Sequence, residues 1–229
     1  MAHDHHQNDL HLSASNLMRA YIDSLPDKIS IREELCSYQF WKSLRTEFLA
    51  TFLFFIFGSG SLLTISSISE NQSILNLTSV VSNSSVPFEL VELKSALAIG
   101  LTVATLVQCA GHVSGCHLTI AITLGLCVSG RVSPLRLAAY LLAQCVASVA
   151  AAVVIYALFG VVRPIQPASG AVSAAQVFGF EFLATFLVVL TYLANCDSAR
   201  IDLGFKALSI GLAFTVGHLF AVSEATTIL

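Results

Sequence analysis

Along this chain the apolar positions gather into long blocks instead of the short alternations of a soluble domain. Five blocks reach spanning length, near 44–65, 91–110, 134–159, 177–195 and 205–222. About 20 residues at ~1.5 Å each cross a hydrocarbon core of ~30 Å. All five are predicted to be helices, because lipid offers an open backbone no hydrogen-bonding partner. Trp41 stands just before the first block, where an interfacial anchor belongs. A sixth apolar piece, Leu118 to Val128, is too short to cross. It lies between His112-Val113-Ser114-Gly115 and Ser129-Gly130-Arg131. Its length predicts a re-entrant or interfacial segment that enters and leaves on one face. A helix in a soluble loop fits poorly with so few charges.

Two blocks repeat. Glu47-Phe48-Leu49-Ala50-Thr51-Phe52-Leu53 recurs letter for letter as Glu181-Phe182-Leu183-Ala184-Thr185-Phe186-Leu187, opening the first and fourth spans. Ala98-Ile99-Gly100-Leu101 is echoed by Ser209-Ile210-Gly211-Leu212 in the second and fifth. Helix one therefore matches helix four and helix two matches helix five, a duplicated three-helix unit. An odd number of spans per unit sets the two copies in opposite directions, with functional sites near the midplane where they meet. A carboxylate inside a span costs about 2.5–3.5 kcal/mol on insertion scales. Glu47 and Glu181, at one repeat position, thus imply a specific internal partner for each; the plainer reading has each snorkelling to the interface.

The polar positions set the boundaries. Residues 1–40 lack the apolar core of a signal peptide and are expected to form a disordered cytosolic tail. His3, His5, His6 and His11 crowd that tail, and no metal role is assigned to them. The transmembrane domain is expected to occupy 41–229, with repeat one at about 44–129, the third span at 134–159 and an incomplete repeat two at about 177–229. Between the first two spans, about 66–90, a loop rich in Ser and Asn carries three sequons, making Asn71, Asn76 and Asn83 glycosylation candidates.

Composition agrees with a membrane protein: 55% of residues are hydrophobic and 11% charged, against about 25% charged in soluble domains. The net charge of −3 gives no basic field for nucleic acid. With the N-terminus in the cytosol, nine of the 11 Lys and Arg fall inside and only Lys94 and Arg163 outside, satisfying the positive-inside rule. The six cysteines show no metal-ligand spacing and read as small buried hydrophobes. No HExxH, P-loop or G-x-S-x-G motif supports an enzyme, and no cofactor or metal is expected.

At the level of motifs the sequence resembles the aquaporins. Gly100-Leu101-Thr102-Val103-Ala104-Thr105, continued through Gly111-His112-Val113-Ser114-Gly115-Cys116-His117-Leu118, resembles that family's second helix and the turn into its first half-helix. Gly217-His218-Leu219-Phe220-Ala221 is similar to its fifth helix, and Cys196-Asp197-Ser198-Ala199-Arg200 to its fourth-to-fifth connection. Phe40-Trp41-Lys42-Ser43 and Val132-Ser133-Pro134-Leu135-Arg136 resemble the water-selective brain-type and insect big-brain-like branch. The resemblance implies an all-α membrane protein with an inverted repeat, five spanning helices and one re-entrant half-helix. It also implies a channel for water or small neutral solutes, in the plasma membrane, as a homo- or hetero-tetramer.

In that family two half-helices dip from opposite faces and meet mid-membrane, each capped by Asn-Pro-Ala, with their positive ends toward the pore. Carried over, the water-leading carbonyls would come from Gly115, Cys116, His117 and Leu118. Glu47 and Glu181 would hold the re-entrant loops by accepting backbone N–H bonds. Three departures follow. The Asn-Pro-Ala position reads Thr119-Ile120-Ala121; Thr still caps a helix, but its hydroxyl is then committed to the backbone. In the outer filter His218 matches the family's His, whereas Ile99 stands where a Phe is expected. Thr119 follows Gly100 by 19 residues, and the same step from Gly211 reaches position 230, past the last residue. A C-terminally truncated product is therefore expected, lacking the second half-helix and sixth span. The alternative to conduction is a non-conducting form acting by association with full-length relatives or in adhesion and signalling.

Overall fold

The ends of the helices follow local capping chemistry. In the computed structural model, which describes residues 31–74, 88–160, 173–197 and 205–222, the third apolar block forms a helix over Pro134–Phe159. Ser133 accepts from the Arg136 amide, Pro134 occupies the first turn, and Gly160 closes the C-terminus at φ 71°. The fourth block starts at Ala174 with a reciprocal capping box between Ser173 and Gln176.

In chain order the described helices are α1 (Ile31–Cys36), α2 (Tyr38–Ile74), α3 (Phe88–Ser114), α4 (Ile120–Val128), α5 (Pro134–Phe159), α6 (Ala174–Asn195) and α7 (Lys206–Val222). Five of them fall on the five apolar blocks, and α4 falls on the short piece. Three are long and apolar enough to cross a membrane: α3 from Leu93, α5, and α6 from Ala175. Helix α7 is apolar but shorter.

Two expected boundaries move. The tail, expected to lack structure through residue 40, contains α1 and the start of α2; residues 1–30 lie outside the described residues. Glu33 and Glu34 in the first turn of α1 suit its positive end. Helix α2 continues to Ile74, past the expected end at 65. No glycine or proline interrupts the chain between Gly60 and Pro87, so a polar Ser/Asn composition alone does not stop the helix.

Within the unit that begins at Tyr38, α2 packs on α3 and α5, α6 packs on α7, and α3 crosses α7. The α2–α3 pair thus corresponds to α6–α7. At the α3–α7 crossing the equivalent glycines face one another. A methyl group on Gly100 would sit 2.6 Å from the Gly211 carbonyl oxygen, and one on Gly211 would collide with the Gly100 carbonyl. That reciprocity marks the pseudo-two-fold relation between the repeats. Half-helix α4 lies between α5 and α6, and a methyl on its Gly125 would be 2.7 Å from Val189.

Apolar side chains cover the outside as well as the core, and several polar groups are buried. Leu142, Val146, Val149 and Val153 on α5 are 60–70% exposed, while Glu47, Thr51, Ser95 and Thr123 are 0–1% exposed. So broad an apolar outside is stable only where it meets lipid. The cysteines divide: Cys116 is buried, but Cys109 and Cys145 are exposed on their helices. The expectation that they serve as buried hydrophobes fails there and at the exposed Cys36, because an apolar block does not reveal which of its positions are packed inside.

Candidate functional site

Glu47 sits on α2 with its carboxylate fully buried. Oε1 accepts from Ser114 Oγ at 2.7 Å and from the His117 amide at 2.9 Å, and Oε2 accepts from the Leu118 amide at 3.3 Å. Ser114 Oγ in turn accepts from the Cys116 amide at 3.0 Å. One carboxylate thus satisfies the donors of a turn that has no regular ladder of its own. The turn is tight: Gly115, Cys116 and Leu118 have φ of 91°, 56° and 62°. Cys116 and Leu118 hold a conformation that costs non-glycine residues about 1–3 kcal/mol. The Glu47 bonds over-determine it.

Past the turn, Thr119 is the N-cap of α4, its side chain accepting from the Ile122 amide at 3.4 Å. The hydroxyl is committed to the backbone, as its sequence position predicts. Thr123 Oγ1 donates to the Thr119 carbonyl at 3.0 Å and accepts from Gln144 Nε2 at 3.2 Å. His117 Nδ1 lies 3.2 Å from the same oxygen.

The carbonyls of the turn take side-chain hydroxyls from three helices. Tyr140 of α5 donates to the Ser114 carbonyl at 3.2 Å, Thr51 of α2 to Leu118 at 3.5 Å, and Tyr192 of α6 to Gly115 in a short bond. The His117 carbonyl accepts from the Thr119 amide at 2.6 Å. These partners were not read from the sequence. The available signal was a tyrosine inside an apolar span, whose hydroxyl needs a partner when buried.

The tip of α4 opens on a cavity of about 360 Å³. Thr119, Ile120 and Ala121 line it from α4, Thr51 and Phe55 from α2, Gln144 and Ser148 from α5. Glu181, Thr185 and Val188 line it from α6, and Phe214 from α7. Glu181 Oε1 and Gln144 Oε1 are buried without a hydrogen-bond partner among the described residues. Ile99 packs into an apolar cluster with Phe54, Ile210 and Phe214. His218 is buried one turn beyond Phe214, its Nε2 without a partner among the described residues. Asn71 lies in the last turn of α2, and Asn76 and Asn83 fall outside the described residues.

The geometry fixes α4 as re-entrant. Ser43 at the start of α2 donates to the Val113 carbonyl at the end of α3 at 3.1 Å. Beyond α4, Arg131 Nη1 reaches the Cys196 carbonyl at the C-terminus of α6 at 2.6 Å, and Tyr192, one turn before, bonds Gly115 at the end of α3. Chain entry and exit therefore share one end of the bundle.

Residues 34–227 match the family profile described as Major intrinsic protein. The chain belongs to that family. It is 36% identical over 196 residues to the Neurogenic protein big brain of Drosophila melanogaster, covering 82% of this chain and 25% of that protein. To Aquaporin-1 of Homo sapiens it is 38% identical over 188 residues, covering 80% and 65%. To Aquaporin-4 of Mus musculus it is 33% identical over 193 residues, covering 80% and 54%. The chain thus spans between a quarter and two thirds of the length of these curated relatives. Among solved structures, the aquaglyceroporin from Plasmodium falciparum superposes with a TM-score of 0.63 at 18% identity, over 81% of this chain and 74% of that one. As a major intrinsic protein the chain is an all-helical membrane protein with the aquaporin fold.

Proposed function

We propose that this major intrinsic protein is a membrane channel passing water or small neutral solutes through the cavity at the α4 tip. The observation that supports it is the grip of Glu47 on the 114–118 turn. It fixes the half-helix with its positive end at the cavity, which disfavours cations there. Glu181 takes the equivalent task in the second repeat. His117 and Leu118 follow Gly100 by 17 and 18 residues, and the same steps from Gly211 reach positions 228 and 229, outside the described residues. The N-terminus is assigned to the cytosol and the channel to the plasma membrane, as a tetramer with one conduit per subunit.

Swelling of proteoliposomes under an osmotic step tests this reading. Water permeability above that of protein-free vesicles is expected, and permeability equal to theirs overturns it. The orphaned acceptors also favour a second reading, in which a segment of a full-length relative seats in the cavity and this chain acts by association. Its mark is lowered flux when the chain is co-expressed with that relative.

A further inference from the structure

We infer that Tyr192 is the seal of the conduit on the face that carries the α6 C-terminus, and so sets how fast solute passes. This rests on the channel reading above. The cavity follows α6 as far as Val188 and the turn as far as Leu118. Tyr192 is one helical turn beyond Val188 and only 4% exposed. Its hydroxyl donates to the Gly115 carbonyl, the first of the four carbonyls that the family resemblance assigns to leading water. Its ring stands edge-on to His117, centroids 6.0 Å apart at 82°. Tyr192 is packed in one buried cluster with Cys116, Leu118 and Val188, just past the last residues of α6 and of the turn that line the cavity. The hydroxyl competes with water for the carbonyl, and the ring fills the space water would cross. The ring is held by that bond and by its packing against His117 and within the buried cluster, so it opens as a gate only when both holds yield.

Cys145 is a native reporter, because it lines the cavity. A membrane-impermeant methanethiosulfonate is applied to proteoliposomes from the face of the α6 C-terminus, and modification at Cys145 is read by peptide mass spectrometry. Water permeability is measured on the same vesicles. Tyr192→Phe removes the hydrogen bond and keeps the ring, and about a threefold to tenfold faster modification is expected from the loss of one net hydrogen bond. Tyr192→Val also removes the ring and should exceed Tyr192→Phe. Faster modification with raised permeability supports both the gate and the channel. Faster modification without a permeability gain supports the gate and overturns conduction. Modification at the wild-type rate in both variants overturns the gate, and if Tyr192→Val does not assemble, Tyr192→Phe alone decides.

Discussion

Glu47 is the residue on which the re-entrant turn depends. Glu47→Ala would leave the Ser114 hydroxyl and two amides buried without an acceptor, at about 1–3 kcal/mol for each unsatisfied group. A loss of about 3 kcal/mol or more is expected in detergent unfolding titrations, with Glu47→Gln intermediate because one oxygen acceptor remains. Under the channel proposal, Thr119 and Ile120 bear on transport instead. Asn at 119 adds an amide donor, and Pro at 120 suits the first helical turn and needs no partner for a missing N–H. Thr119→Asn combined with Ile120→Pro is therefore expected to raise vesicle water permeability several-fold with little change in unfolding midpoint. An unchanged permeability would show that the tip does not limit flow.

At the scale of elements, the α3–α7 crossing is the least forgiving contact. Gly211→Ala sets a methyl against the Gly100 carbonyl and 2.7 Å or so from Ala104 Cβ, an overpacking worth about 1–3 kcal/mol. Gly100→Ala should cost a similar amount. The double variant should cost less than the two single losses together, because the helices need separate only once. Strict additivity in unfolding titrations would count against the reciprocal contact. Much at this scale was legible beforehand. The 134–159 helix is right at both ends because Ser133, Pro134 and Gly160 are chemical punctuation. Helix α2 overran its forecast because nothing in 61–74 breaks a helix, only makes it polar. The carboxylate grip was legible from the repeat and the family motifs. The hydroxyls of Thr51, Tyr140 and Tyr192 were not, since in sequence they are single polar letters in apolar runs whose facing is fixed only by packing.

For the whole molecule, the shared end of the bundle makes a topological forecast. Single cysteines replacing Lys42 and Arg131 should react with an impermeant thiol reagent from the same side of the membrane. Labelling from opposite sides would require α4 to span and would overturn the architecture. Any N-linked sugar at Asn71, Asn76 or Asn83 should mark the opposite side, and glycosidase treatment of the protein from eukaryotic cells is expected to increase its gel mobility.

The partners of Glu47 are made late. The closer of its two amide donors, that of His117, lies 70 residues further along the chain. At about 5–20 residues per second of synthesis, the ribosome delivers that loop only some 4–14 seconds after the acid. Throughout that wait the first helix carries an acid that lipid penalises by about 2.5–3.5 kcal/mol. A position beside the insertion machinery or near the water boundary would spare it that cost until the second helix and its loop arrive. Biogenesis of this chain is a timed capture, in which the late-coming turn releases the first helix into the bilayer.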